Sequence, residues 1–116
     1  MHKRGLELYL NDIKESIEAI KLFTFELDFE TFRNDRKTYS AVIREFEIIG
    51  EAVKNLPDSL LSRYKDVPWR DMVDFRNLLI HEYFGVDFEI VWNTIKIDLP
   101  ALEAVLDKIL CEQQKE

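Results

Sequence analysis

Cysteine, glycine and proline are scarce in this chain of 116 residues, which contains one cysteine, three glycines and three prolines. The single cysteine, Cys111, cannot form an intrachain disulfide, and this favours a reducing compartment. So few glycines and prolines leave little material for the tight turns of a β-sandwich or β-barrel. We therefore expect long helices in one domain, because the chain is long enough for one core and too short for two.

Long apolar runs are also missing from the sequence. No stretch approaches the length of a membrane span. Residues 1–5 lead into a segment rich in charged and polar side chains, whereas a signal peptide would continue into an apolar core. We therefore expect a cytoplasmic protein that makes no use of a membrane.

The patterns that usually bind metals or cofactors are absent as well. The chain has two histidines, His2 and His81, and it contains neither an H-E-x-x-H nor a C-x-x-C pattern. It also lacks a glycine-rich phosphate loop, a Rossmann fingerprint and a nucleophile elbow. The sequence therefore predicts no metal site and no cofactor.

Negative charge predominates, with a formal net charge of −7. This total argues against broad, non-specific binding of polyanions, since phosphate backbones are held mainly by clustered lysine and arginine. It is compatible with a local basic cleft, because basic residues cluster in two segments. They are Arg33, Arg36, Lys37 and Arg44 in the first segment, and Arg70 and Arg76 in the second. Alternatively, the first group only balances nearby glutamates on solvated helix faces.

Apolar residues recur at helical spacing along most of the chain, which predicts an all-α bundle of four to five main helices plus short helical turns. The predicted main helices cover residues 3–23, 36–56, 68 to 81 or 83, a segment after Asp87, and 101–111, with short turns within 28–35 and 58–64. In the segment after Asp87 we expect the side chains of Ile90, Val91, Ile95 and Leu99 to point inward. The domain would span 1–116, with a core of about 6–110 and a frayed tail at 112–116.

Prolines, glycine and aspartates mark the boundaries of these predicted helices. Asp28 and Asp87 are suited to cap helix N-termini, and Gly85 is suited to end the helix that begins near Pro68. Pro57 would close the helix that starts at residue 36, and Pro100 would open the last one.

The predicted helix 36–56 has a broad apolar face and a second, smaller one. The second face comprises Ala41, Ile48 and Ala52. Such a helix can contact its own core and a partner helix at once, which points to a homodimer. It can equally be buried on two sides within a single bundle.

Residues 76–83 read R-N-L-L-I-H-E-Y and bring a permanent cation, an imidazole and a phenol within two helical turns. Arg76 and Tyr83 lie on the apolar seam of this helix, which also carries Trp69, Met72, Val73, Leu79 and Ile80. A guanidinium on such a seam is costly unless it is paired or the seam lines a cleft. Arg76 therefore either forms a structural ion pair or belongs to a functional site.

The spacing of these residues predicts how they share space. Arg76 and Tyr83 point almost the same way on a helix, and Asn77 and His81 stack on a neighbouring strip. His81 and Tyr83 would face opposite sides unless the helix ends between them. The spacing thus predicts a helix C-terminus at the site, for which Gly85 is well placed.

The chemistry of the residues suits an anion such as phosphate. Arg76 offers planar, bidentate donors, and His81 can exchange protons near neutral pH. Asn77 could fix the imidazole tautomer or donate to phosphate oxygens, and Tyr83 supplies a hydroxyl. A two-fold dimer would place two copies of Arg76 and His81 around one phosphate. Glu45, Glu47 and Glu51 form a solvated face or include a partner for Arg76. From the residues alone, function and architecture are equally supported.

The same string resembles the R-x-x-x-x-H-x-Y motif of the HEPN superfamily, and more narrowly the HepT-like group. The likeness extends to residues 41–52 (A-V-I-R-E-F-E-I-I-G-E-A), 68–69 (P-W), 85–87 (G-V-D) and 98–100 (D-L-P), all in family order. It covers most of the chain, from about residue 6 to residue 110. The motif alone is moderately specific, and the flanking segments make the match strong.

This resemblance implies a HEPN-type helical bundle that dimerises, so that two motifs form one composite cleft. It also implies a metal-independent endoribonuclease, the toxin of a type VII-like toxin–antitoxin pair, with RNA (tRNA included) as substrate. Arg76 and His81 would be catalytic, and Asn77 and Tyr83 supporting. Tyr83 matches the tyrosine that a cognate MntA-like minimal nucleotidyltransferase antitoxin modifies with AMP, in a dimer or a higher oligomer with that antitoxin. The alternative is a non-catalytic, nucleotide- or partner-binding subunit of a nucleotidyltransferase complex.

Overall fold

The computed structural model describes residues 3–81 and 87–114, apart from the side chains of Lys3, Arg4, Ile80, His81 and Gln114. Within these ranges every regular element is helical. The elements are α1 (Lys3–Thr24), α2 (Phe29–Asn34), α3 (Arg36–Lys54), α4 (Asp58–Leu61), α5 (Trp69–His81), α6 (Phe88–Asn93), a π-helical turn (Thr94–Asp98) and α7 (Leu99–Gln114). The all-α class predicted from the sequence is confirmed. No described helix combines the length and apolar character needed to cross a bilayer.

The core lies where α3 passes between α1 and α5, with α7 closing against α1. Each helix contributes apolar side chains at the predicted spacing of three and four residues. Those buried on α1 are Leu10, Ile13, Ile17 and Ile20, and those on α3 include Val42, Phe46, Ile49 and Val53. Because α3 contacts two helices of the same chain, part of its second apolar face is used internally, and Ala52 is buried there.

Aspartates cap three helices at their N-termini. Asp28, Asp35 and Asp87 each accept a hydrogen bond from a backbone N–H of the first turn, at 2.8 to 3.2 Å. The two predicted caps, Asp28 and Asp87, are confirmed. At Asp35 the Thr38 hydroxyl, which donates at 2.7 Å, together with the Thr38 backbone N–H, lowers the pKa of the carboxyl below its ordinary value.

The C-terminal part of the bundle differs from the prediction. Pro100 is the second residue of α7, close to the predicted helix start, but the π-helical turn leads directly into α7, so the backbone is helical without a break from Phe88 to Gln114. Proline lacks an N–H and its ring displaces the carbonyl four residues back. A π-helical turn at Thr94–Asp98 accommodates this, and Leu99 N–H accordingly donates to the Thr94 carbonyl. Helix α7 also extends to Gln114, beyond the predicted end at Cys111.

One predicted core residue in this segment is wrong. Ile90 keeps 47% of its surface exposed, whereas Val91, Ile95 and Leu99 are buried as expected. Ile90 and Val91 are neighbours on α6 and point about 100° apart, so both cannot face the core, and Val91 is the one that aligns with Ile95 and Leu99.

Charged side chains fasten α1 to α7 at the surface. Lys14 Nζ donates to Asp107 at 2.7 Å, and Lys21 Nζ donates to Glu103 at 3.1 Å. The hydrogen bond to Asp107 is the main reason that the pKa of Lys14 is raised above its ordinary value. Because these pairs lie at the surface, each adds little to stability.

Candidate active site

Helix α5, which carries the motif, is anchored at its first residue. The indole Nε1 of Trp69 donates to the Tyr64 carbonyl at 2.9 Å, and the ring itself is buried. Tyr64 in turn donates its hydroxyl to Glu112 of α7, and this contact raises the pKa of the phenol. Both interactions tie the segment at the start of α5 to the rest of the bundle.

Along α5, Arg76 lies on the packing seam, as its spacing predicts. Met72 and Leu79 on that seam are buried, and Phe75 beside it packs edge-on against Phe46, with ring centroids 5.2 Å apart. The side chain of Arg76 keeps 25% of its surface exposed. The cation thus emerges from between two packed helices instead of projecting freely into solvent.

Close packing of α3 against α5 gives Arg76 its position. A Cβ atom built on Gly50 would overlap Cβ of Arg76 and lie 2.8 Å from its Cγ and 3.1 Å from the Met72 carbonyl oxygen. The missing side chain at position 50 therefore lets the stem of Arg76 lie directly against the α3 backbone. A glycine inside a helical apolar pattern signals such an approach, but the sequence gives no indication of which residue approaches.

The guanidinium of Arg76 has oxygen partners from two helices. Nη2 lies 3.0 Å from Oε2 of Glu51 on α3, and Nη1 donates to Oδ1 of Asn77 at 2.9 Å. Nε is buried and has no hydrogen-bond partner among the described residues. Glu51 is 51% exposed, so this ion pair adds about 0–1 kcal/mol at most to stability.

A groove opens beside this ion pair, and we name it the Arg76 groove. Its volume is about 290 Å³, and it is lined by Tyr9, Asp12, Arg44, Glu47, Ile48, Glu51, Ala52 and Arg76. The α3 residues lie three, four, seven and eight positions after Arg44, so they share one face of that helix. The groove therefore has an apolar floor and a rim on which carboxylates outnumber arginines.

The predicted site residues are only partly brought together within the described structure. Arg76 and Asn77 are in contact, and His81 is the last described residue of α5, where its side chain is not described. Tyr83 and Gly85 lie outside the described residues, so the predicted helix end between His81 and Tyr83 stays a prediction. The roles of all four site residues also remain predictions.

Of the clustered basic residues, Arg44 alone joins Arg76 at the groove. Arg33 pairs with Glu30 of its own helix, at 3.8 Å, and Arg70 lines a different groove, between α3, α4 and α5. The sequence alone leaves the partner of Arg76 open among three glutamates, and in the structure the partner is Glu51. Two groove residues from α1, Tyr9 and Asp12, were not foreseen, because their proximity depends on how α1 crosses α3.

Metal-ligating side chains do not converge in the part of the chain that the structure describes: no group of three or more histidines, cysteines, aspartates or glutamates is placed to hold an ion there. The site's described chemistry rests on the guanidinium, its two oxygen partners and the groove that they border.

Comparison with known proteins places the chain in a family. The family model described as Ribonuclease HepT-like matches residues 13–109. A protein of Thermococcus cleftensis named a probable ribonuclease HepT is 49% identical over 107 residues, which is 92% of this chain and 97% of that protein. A protein of Methanocaldococcus jannaschii, named as a candidate RNase, is 41% identical over 118 residues, with 98% of each chain covered.

A similar relative occurs in Caldanaerobacter subterraneus, where a protein also named as a candidate RNase is 42% identical over 109 residues and 94% of each chain is covered. No solved structure matches the chain at a significant level. The family model covers most of the chain, and several relatives exceed 40% identity over nearly their whole length. The chain therefore belongs to the Ribonuclease HepT-like family.

Proposed function

We propose that this protein is a metal-independent endoribonuclease, the toxin of a type VII-like toxin–antitoxin pair, with tRNA among its candidate substrates. The observation that carries the proposal is the placement of Arg76. Its guanidinium emerges at a groove, five residues before His81 on the same helix. Membership of the HepT-like family and the ribonuclease names of the relatives support the same reaction class.

The proposed reaction needs a cation at phosphate and a proton carrier. The ribose 2′-oxygen attacks the neighbouring phosphorus while its proton leaves, and the bond from phosphorus to the 5′-oxygen breaks as that oxygen gains a proton. Arg76 would stabilise the charge that develops on the phosphate oxygens. His81, with an ordinary imidazole pKa of about 6.5, would carry a proton. These roles require no metal ion, because both protons and charge are handled by side chains.

A homodimer completes the proposed site. One Arg76 and one His81 supply one cation and one proton carrier, whereas the reaction uses both a base and an acid. A two-fold arrangement of two α5 helices would bring a second pair to the same phosphate. The half-buried faces of Ile48 and Ala41 on α3 offer apolar surface for such an interface.

Tyr83 is the proposed site of control. It follows His81 by two residues in the sequence. AMP transferred to its hydroxyl by a cognate minimal nucleotidyltransferase antitoxin would place a bulky negative group beside the cation that binds RNA. Both bulk and charge would then exclude a phosphate backbone from the cleft.

A non-catalytic role is the second candidate, and one observation favours it. Arg76 is already paired with Glu51, and the Arg76 groove carries more carboxylates than arginines. An arginine in such a setting also occurs as a purely structural ion pair, in a module that only binds a partner or nucleotide.

Cleavage of RNA in the presence of EDTA tests the proposal. We expect wild type to cleave RNA and His81→Ala and Arg76→Ala to lose at least about a hundredfold in rate. Arg70→Ala, on the same helix but outside the Arg76 groove, is the matched control and should retain wild-type activity. Intact mass identifies preparations that carry AMP on the protein.

The outcomes separate the two candidates. Loss of activity in both motif variants, with unchanged helical content and activity in the Arg70 control, supports the ribonuclease. Unmodified, folded wild-type protein that cleaves no RNA, yet still binds a nucleotidyltransferase partner, would favour the non-catalytic module.

A further inference from the structure

Helix α3 holds the Arg76 side chain at both of its ends. Near the backbone, Gly50 leaves just enough room for Cβ and Cγ of Arg76. At the far end, the next residue, Glu51, contacts Nη2 at 3.0 Å. Gly50 and Glu51, which are consecutive on α3, thus contact the stem and the guanidinium of Arg76.

The contact with Glu51 restricts the approach of an anion to Arg76. Because Nε is enclosed, a phosphate can reach the guanidinium only at Nη1 and Nη2. Nη1 donates to Asn77, and Nη2 forms an ion pair with Glu51 at 3.0 Å. Each Nη carries two N–H groups, so these contacts do not use all the donors of the guanidinium. The donors that remain on Nη1 and Nη2 are therefore the ones that a phosphate can use.

We propose that Glu51 is a positioning residue for this reaction: its carboxylate fixes the plane of the Arg76 guanidinium so that the remaining N–H donors face the scissile phosphate. The inference rests on the proposed ribonuclease function. Glu51 is half exposed, so its ion pair contributes little to folding. Its consequence lies in the orientation of a flexible side chain, where a displacement of about 1 Å can change a rate by on the order of a hundredfold.

A positioning carboxylate has a kinetic signature that a structural or competing one lacks. Removing Glu51 frees the guanidinium, so the transition state loses a fixed donor pair and kcat falls. The same removal takes away a negative charge beside the phosphate site, so binding of the ground state is not weakened and KM does not rise. A carboxylate that merely competed with phosphate would, on removal, lower KM without any loss of kcat.

Kinetics of RNA cleavage under EDTA, with a fluorogenic oligoribonucleotide, provide the first test. We expect Glu51→Ala to lower kcat by about tenfold to a hundredfold without raising KM. Glu51→Gln keeps an acceptor oxygen and should recover most of that loss. Glu45→Ala removes the same charge from the same helix outside the Arg76 groove, and it should behave as wild type. Equal kcat values for Glu51→Ala and Glu45→Ala would overturn the proposal, as would a higher kcat in Glu51→Ala.

A readout independent of activity separates this inference from the proposed function. In ¹⁵N-resolved NMR spectra, a guanidinium held at both Nη atoms rotates slowly about its Nε–Cζ bond and shows separate Nη signals. We expect such signals for Arg76, assigned by their absence in Arg76→Lys, and their collapse in Glu51→Ala but not in Glu45→Ala. Separate signals in all variants would refute the role of Glu51. If wild type cleaves no RNA while the signals behave as expected, the ribonuclease proposal alone has failed.

Discussion

The side chain of Arg76 on α5 occupies the space that a side chain on Gly50 of α3 would need. A methyl group on Gly50 would overlap Cβ of Arg76 and lie 2.8 Å from its Cγ. The overlap involves the stem of the arginine, which cannot swing aside as a side-chain tip could. The position of the Arg76 guanidinium therefore depends on the absence of a side chain at Gly50 on the neighbouring helix. Helix packing and site geometry are coupled at this one position.

Gly50→Ala is predicted to destabilise the protein despite placing a better helix former in α3. Alanine gains up to about 1 kcal/mol in helix propensity, whereas overpacking a tight contact costs about 1–3 kcal/mol. We expect a net loss of about 1–2 kcal/mol in the free energy of unfolding, measured by urea denaturation. Gly5→Ala, in the first turn of α1, is the control and should not lower stability. A Gly50→Ala protein as stable as wild type would show that the crossing relaxes at no cost.

Leu79→Ala is predicted to cost about 2–5 kcal/mol, because Leu79 is 1% exposed and its removal leaves a cavity. The preceding residue provides the matched control: Leu78 has the same chemistry and is 41% exposed. Leu78→Ala should change the free energy of unfolding by less than about 1 kcal/mol. Similar losses in both variants would mean that α5 is rotated relative to the arrangement described above.

Asp35 is predicted to make the stability of the protein fall in acid. Hydrogen bonds from Thr38 lower the pKa of Asp35 below its ordinary value of 3.8. The folded state thus favours the charged form, so the stabilisation is present above pH 3.8 and is lost as the pH falls through the lower, folded-state pKa. Asparagine also caps helices but carries no titratable group.

Asp35→Asn should accordingly flatten the acid limb of the stability curve. We expect the difference in urea midpoint between wild type and Asp35→Asn to shrink from about pH 6 to about pH 3. A difference that stays constant over this range would mean that the Asp35 carboxylate and the amide cap α3 equally well, with no contribution from ionisation.

Local signals in the sequence were enough for most of the fold. Aspartates before apolar runs predicted the caps at Asp28 and Asp87, and the apolar side chains that recur at helical spacing along α1 and α3 are buried. Pro100 lies in the first turn of α7, where proline is favoured, but the expected break before it is replaced by a π-helical turn, which depends on the packing of both flanking segments. Short-range patterns contain no information about that packing.

The position of Arg76 on the packing seam was predictable from the sequence, and its contacts were not. The charge of Arg76 on an apolar seam marked it as unusual from sequence alone. Its pairing with Glu51, its packing on Gly50 and the proximity of Tyr9 depend on how three helices cross. The spacing of residues within one helix determines which side chains share a face, but it does not determine which face of another helix they meet.

The carboxylates of the Arg76 groove are predicted to weaken RNA binding. Asp12 and Glu47 line the groove together with Arg44 and Arg76, so their charges oppose the approach of a phosphate backbone. We expect the double variant Asp12→Asn, Glu47→Gln to bind RNA several-fold more tightly at low salt. Fluorescence anisotropy with a 2′-O-methyl oligoribonucleotide measures this affinity, because such RNA lacks the attacking hydroxyl and cannot be cleaved.

Salt dependence distinguishes a local effect from a change in total charge. Exposed charges are screened beyond about 10 Å at 0.1 M salt, so charges within the groove should still influence bound RNA there, whereas distant ones should not. The control is Asp58→Asn, Asp74→Asn, which removes the same total charge from a different groove. Equal tightening in both double variants would assign the effect to net charge. Tightening confined to Asp12 and Glu47 would place the RNA backbone along the Arg76 groove.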